Sequence, residues 1–154
     1  MDAVLRTVHL LAAIVWVGGT IALVIVAVPP VQRLEGEARA RTLRGFGRRW
    51  RPLGWSALAV AIGTGIAIAA RDHAFHSTSR GFDVVLAVKG VLVGLLVAGA
   101  YAHDFVLGPG LARQIREGQP QSLRPLLRGI GWADFALTLA IPILGAVLAE
   151  LLSD

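Results

Sequence analysis

The sequence predicts an all-α polytopic membrane protein, a four-transmembrane-helix antiparallel bundle, and three observations predict it. Hydrophobic residues make up 55% of the 154-residue chain, and its mean hydropathy of +0.67 is above that of a soluble domain. Only 16% of residues are charged, and nearly all the positive ones fall between apolar stretches. Four of these stretches approach or exceed the roughly 20 apolar residues with which a helix crosses a hydrocarbon core. The spans fall at residues 4–28, 53–70, 84–107 and 130–152, in a single domain covering 1–154 with short connections that favour antiparallel neighbours. No low-complexity segment and no credible repeat stands out.

The first span is longer than the roughly 7–15 apolar residues of a secretory signal, and its arginines follow it instead of preceding it. A retained helix is therefore expected. His9 is its only ionisable residue between Thr7 and Pro30. The second span is the shortest and needs Trp50 and Trp55 as an interfacial anchor. Ala57, Ala61, Gly65 and Ala69 recur on it every four positions, as do Gly90, Gly94 and Ala98 on the third span, while Gly18 and Gly19 serve the first. Small residues at this spacing let helix backbones approach closely and also offer a face for homo-oligomerisation.

At about 100° per residue, each of three spans carries one stripe with a polar member. His9, Ala13, Trp16 and Thr20 form the first; Lys89, Val93, Leu96, Ala100 and His103 the second; Asp134, Thr138, Ile141 and Gly145 the third. A polar group against lipid is costly, so these faces are expected to point into the bundle.

Eleven of the 15 Lys and Arg lie after the first and third spans: Arg33, Arg39, Arg41, Arg44, Arg48, Arg49 and Arg51, then Arg113, Arg116, Arg124 and Arg128. The positive-inside rule puts these connections in the cytoplasm and both termini outside, in a multi-pass protein of the plasma (inner) membrane. The net charge of +5 then reflects topology and contact with membrane lipid, and no nucleic-acid partner is expected. His9 and Lys89 each lie about five residues, or ~8 Å, below an outer helix end, so they share one level. His103, Asp104 and Asp134 form a second, inner polar layer, where a proton relay competes with an interfacial cap or an ion pair.

An imidazole ligates a metal through either nitrogen, and a lysine in an apolar site becomes a nitrogen donor or a proton carrier. A haem iron between helices needs one or two axial nitrogens and an apolar pocket. Alternatively, Lys89 and Arg6 snorkel to the headgroups and His9 satisfies a helix contact. In the outer loop, Asp72, His73 and His76 offer imidazole and carboxylate ligands suited to copper or zinc, or form an ordinary solvated loop. There is no cysteine, and the only methionine is Met1, so a transmembrane Cu(I) path lacks the soft ligands it prefers. Signatures of soluble enzymes, such as a G-x-S-x-G elbow or a phosphate-binding glycine loop, are absent.

The run His9-Leu-Leu-Ala-Ala-Ile-Val-Trp16-Val-Gly18-Gly19, the following Pro29-Pro30, and Phe46-Gly-Arg-Arg-Trp50 leading to Gly63-Thr64-Gly65 resemble the copper-resistance protein D (CopD) domain. Val88-Lys89-Gly90 through Gly94 and Tyr101 to Pro109-Gly110-Leu111 is similar to the same group and to the HemJ type of protoporphyrinogen oxidase. The HemJ resemblance implies a four-span protein with b-type haem held by a first-span histidine and a third-span lysine, here His9 and Lys89. It also implies a haem-dependent oxidoreductase, with Trp16 lining the pocket and Arg6 beside it. The CopD resemblance implies copper tolerance or uptake without catalysis. Chain length and missing sulfur match the first; Trp16-Val-Gly18-Gly19 matches the second.

Overall fold

The computed structural model describes residues 2–34, 36–75 and 80–150, and among them it is helical with no strand. Helix α1 (Asp2–Ile21) continues through a π-helical turn, Ala22–Ala27, into α2 (Val28–Gln32), and α3 (Gly36–Phe75) follows. Helix α4 (Arg80–Tyr101) continues through a second π turn, Ala102–Leu107, into α5 (Gly108–Arg116), and α6 (Arg124–Glu150) closes the chain. Four helical runs are long and apolar enough to cross a membrane: Ala3–Gln32, Glu37–Arg71, Arg80–Ile115 and Arg124–Val147. The second extends well beyond the expected 53–70 because the arginine-rich connection is itself helical.

The chain divides into two compact units, Met1–Thr78 and Ser79–Asp154. In the first, α1 packs on α3; in the second, α4 packs on α6. The units follow one plan: a long helix, a π turn, a short helix opening on proline, and a second long helix. Each residue of the first π turn is matched by the residue numbered 80 higher, Ala22 by Ala102 and Ala27 by Leu107. The same offset aligns Gly19 with Gly99, Pro29 with Pro109, Arg44 with Arg124, Arg48 with Arg128 and Gly65 with Gly145. This corrects the expectation that the chain holds no repeat. Its identities are mostly valine, alanine and glycine, which an apolar composition hides.

The two prolines account for the π turns. A proline lacks the N–H that an α-helix would use and crowds the preceding carbonyl. Just before Pro29, Val28 donates to the Leu23 carbonyl, and just before Pro109, Gly108 donates to that of His103, each five residues back. The wider turn lets the helix pass the proline without ending. Helix α5 stops in a Schellman motif: Gly118, at φ 64°, takes the left-handed conformation, while Gln119 donates to the Gln114 carbonyl and Gly118 to that of Ile115.

Aromatic and small residues close the first unit. The Trp50 ring sits over Gly19 and Gly54 and lies 6.1 Å from the ring of Trp16, which is buried. Trp50 therefore joins α1 to α3, where a purely interfacial anchor was expected. In the second unit the Asp134 carboxylate occupies the space over Gly99, the counterpart of Gly19. A Cβ on Gly18, Gly90 or Gly94 would meet nothing within 4 Å, so α1 does not pack on α3, nor α4 on α6, through these three glycines.

Gly19→Ala and Gly99→Ala each collide with a neighbouring side chain and are expected to destabilise the protein by ~1–3 kcal/mol. Gly18→Ala and Gly94→Ala point into open space and should be near neutral. Thermal unfolding of the four variants in one detergent checks the contrast.

Candidate functional site

Within the first unit, His9 enters the crevice between α1 and α3. Its Nδ1 lies 2.8 Å from the Ala61 carbonyl oxygen and 3.0 Å from the Thr64 hydroxyl. A carbonyl only accepts, so Nδ1 is the protonated nitrogen. The Thr64 hydroxyl donates back to the Val60 carbonyl at 2.6 Å, which leaves its oxygen able to accept from His9. Both partners therefore select one tautomer of the neutral ring, with the lone pair on Nε2. Gly65 makes room for it: a Cβ there would stand 3.1 Å from His9 Cε1. The ring is half-buried and is held by polar atoms of α3.

The second unit repeats this arrangement with a different side chain. Lys89 is the residue numbered 80 above His9, and it lies in the α4–α6 crevice against Gly145, the counterpart of Gly65. A Cβ on Gly145 would stand 3.1 Å from Nζ. Each unit thus places a nitrogen-bearing side chain of its first helix over a glycine of its second.

His103, Asp104 and Asp134, the second expected polar layer, belong to the second unit as well. His103 Nδ1 donates to Asp104 Oδ1 at 3.1 Å, both residues lying in the second π turn. The other edge of the His103 ring passes over Gly131 of α6, 3.6 Å from where a Cβ would sit. Asp134 lies near enough for the charges of both residues to act on it. Thr138, 1% exposed, is the most buried side chain among the described residues of this unit. No group of three or more His, Cys, Asp or Glu suited to holding a metal occurs among the described residues.

The expected site residues divide between the units. His9, Trp16 and Arg6 belong to α1, with Arg6 on an exposed position, and Lys89, His103, Asp104 and Asp134 belong to the second unit. The members of each predicted stripe are half-buried or buried. Of the loop group, His76 lies outside the described residues, and the side chains of Asp72 and His73 are likewise not described. The glycine seats, the Ala61 carbonyl and the Trp50 clamp were not read from the sequence. The recurrence of Gly65 at Gly145 was the signal that would have found the seats.

Compared with known proteins, the chain matches no family model, no curated protein and no solved structure.

A double-mutant cycle of His9→Phe and Thr64→Val is expected to return a coupling energy of about 1 kcal/mol. A coupling near zero, measured from unfolding midpoints, would mean that the bond contributes nothing.

Proposed function

We propose that the chain is an integral membrane redox protein that binds haem b through His9. The orientation of that ring carries the reading. A histidine whose Nδ1–H is held by a backbone carbonyl presents its lone pair at Nε2 with the plane fixed, and this is how metal-ligating histidines are supported by their surroundings. The donor set also fits: the chain has no cysteine to compete, and histidine alone suffices as an axial ligand. The resemblance to the HemJ group agrees with it, while the CopD resemblance points to the copper-handling alternative.

The chain's residues take distinct parts in this function. His9 ligates, and the Ala61 carbonyl and Thr64 hydroxyl hold its tautomer and ring plane. Trp16, packed on Trp50, stiffens the helix pair around it. On the HemJ resemblance alone, Lys89 would be a further residue holding the group and Arg6 would lie on the headgroup side. When bound, haem supplies one-electron chemistry, and the apolar helices keep bulk water from it. The termini lie outside, and the arginine-rich ends of α3 and α6 lie in the cytoplasm.

The absorption spectrum of protein purified after haem supplementation provides the test. A Soret band is expected in the wild type and is expected to be lost in His9→Ala, while Thr64→Val should lower haem affinity about tenfold. A Soret band unchanged in position and intensity by His9→Ala removes His9 from the axial role. Bound copper without a Soret band replaces haem with the copper-handling function, and a colourless, metal-free protein overturns both.

A further inference from the structure

The first three turns of α6 carry a site that the haem reading does not use. Arg124, Arg128 and Trp132 recur every four residues along one face, beside Pro125 and Gly129, and together they line an open groove of about 470 Å³. Gly129 leaves part of it unfilled, since a Cβ there would meet nothing within 4 Å. Trp132 is 55% exposed and is braced edge-on against Phe135, with ring centroids 5.8 Å apart at 85°. Among the described residues, no carboxylate pairs with Arg124 or Arg128.

The start of this helix is also held in place. The Gln114 side chain donates to the Ser122 hydroxyl at 2.9 Å and accepts from the Leu123 amide at 3.4 Å. The Schellman turn at Gly118 brings the chain back so that Gln114 can make both bonds. The two guanidiniums are thus mounted on a fixed helix end next to an aromatic ring, at the point where an apolar span begins.

We propose that this groove binds the phosphodiester of an anionic phospholipid, with the lipid chains running down the apolar face below Trp132. Two guanidiniums one turn apart offer forked donors matched to phosphate oxygens. An exposed tryptophan one to two turns deeper suits the zone between headgroup and acyl chain. A soluble anion would use the arginines but would have no reason to meet Trp132 or the span below it.

The repeat supplies an internal control. Leu43-Arg44-Gly45-Phe46-Gly47-Arg48 stands where the second unit has Leu123-Arg124-Pro125-Leu126-Leu127-Arg128. In the first unit, however, Glu37 takes up Arg44 at 3.2 Å and approaches Arg41 at 3.8 Å. A carboxylate there competes with phosphate for the same donors. The second unit therefore holds the lipid, and the first holds it only when Glu37 is neutralised.

The full chain in nanodiscs of mixed phosphatidylglycerol and phosphatidylcholine, with retained lipids counted by native mass spectrometry, provides the test. The wild type is expected to retain one phosphatidylglycerol in preference to phosphatidylcholine. Arg124→Gln/Arg128→Gln should reduce that retention about tenfold or more, and Gly129→Leu, which fills the groove but keeps both charges, should reduce it as well. Arg44→Gln/Arg48→Gln should leave it unchanged, and Glu37→Gln should add a second retained lipid. Equal losses from the two arginine pairs would reduce the effect to diffuse attraction and overturn the site. Displacement by millimolar inorganic phosphate would make the ligand a soluble anion and overturn the lipid assignment. None of these outcomes depends on haem.

Discussion

A polar side chain on a helix surrounded by apolar groups must find its partners on the helix it packs against, because no water is there to satisfy it. In this protein the setting occurs twice, and His9 finds its partners in it. A nitrogen-bearing residue of the first helix lies over a glycine of the second, His9 over Gly65 and Lys89 over Gly145. The glycine lets the second backbone come close enough for its own groups to be used, as the Ala61 carbonyl is by His9. The position of α1 against α3, the tautomer of His9 and the proposed ligand all follow from that close approach.

The repeat explains why the two units are alike and where they differ. The glycine seats and the proline-induced π turns are shared. Around them the chemistry has separated: imidazole in one seat and amine in the other, and an aromatic clamp of Trp50 over Gly19 where the second unit has Asp134 over Gly99. The second π turn carries His103 and Asp104 where the first carries Leu23 and Val24, so the inner polar layer belongs to the second unit alone. One backbone plan thus presents a nitrogen site, a polar cluster and an arginine groove at different heights along its helices.

Much of the helical plan could be read from apolar length. Four apolar helical runs are found, but the third passes the expected Leu107 and continues to Ile115, because the π turn carries the helix past Pro109. The start of α3 was not legible, because Arg39, Arg41, Arg44, Arg48 and Arg49 are good helix formers that a hydropathy reading assigns to a connection. Periodicity put His9, Lys89, Thr138 and Asp134 on polar stripes, and each is half-buried or buried. Their partners did not, since a carbonyl acceptor such as that of Ala61 leaves no trace in the sequence, and Gly65 and Gly145 look like two of 18 glycines until the units are aligned. Trp50 looked interfacial because its flanking arginines dominate the local composition, while the glycines that receive its ring are remote in sequence.

The central claim is that the α1–α3 crevice holds His9 as the Nδ1–H tautomer, with Nε2 carrying the lone pair. ¹⁵N NMR of histidine-labelled protein measures this directly, the His9 resonances being assigned by their loss in His9→Gln. Without added haem, a pyrrole-type Nδ1 and a pyridine-type Nε2 are predicted for His9, with the Nδ1 proton showing a hydrogen bond that Thr64→Val perturbs. A pyrrole-type Nε2, or a His9 exchanging freely between tautomers, would contradict the account.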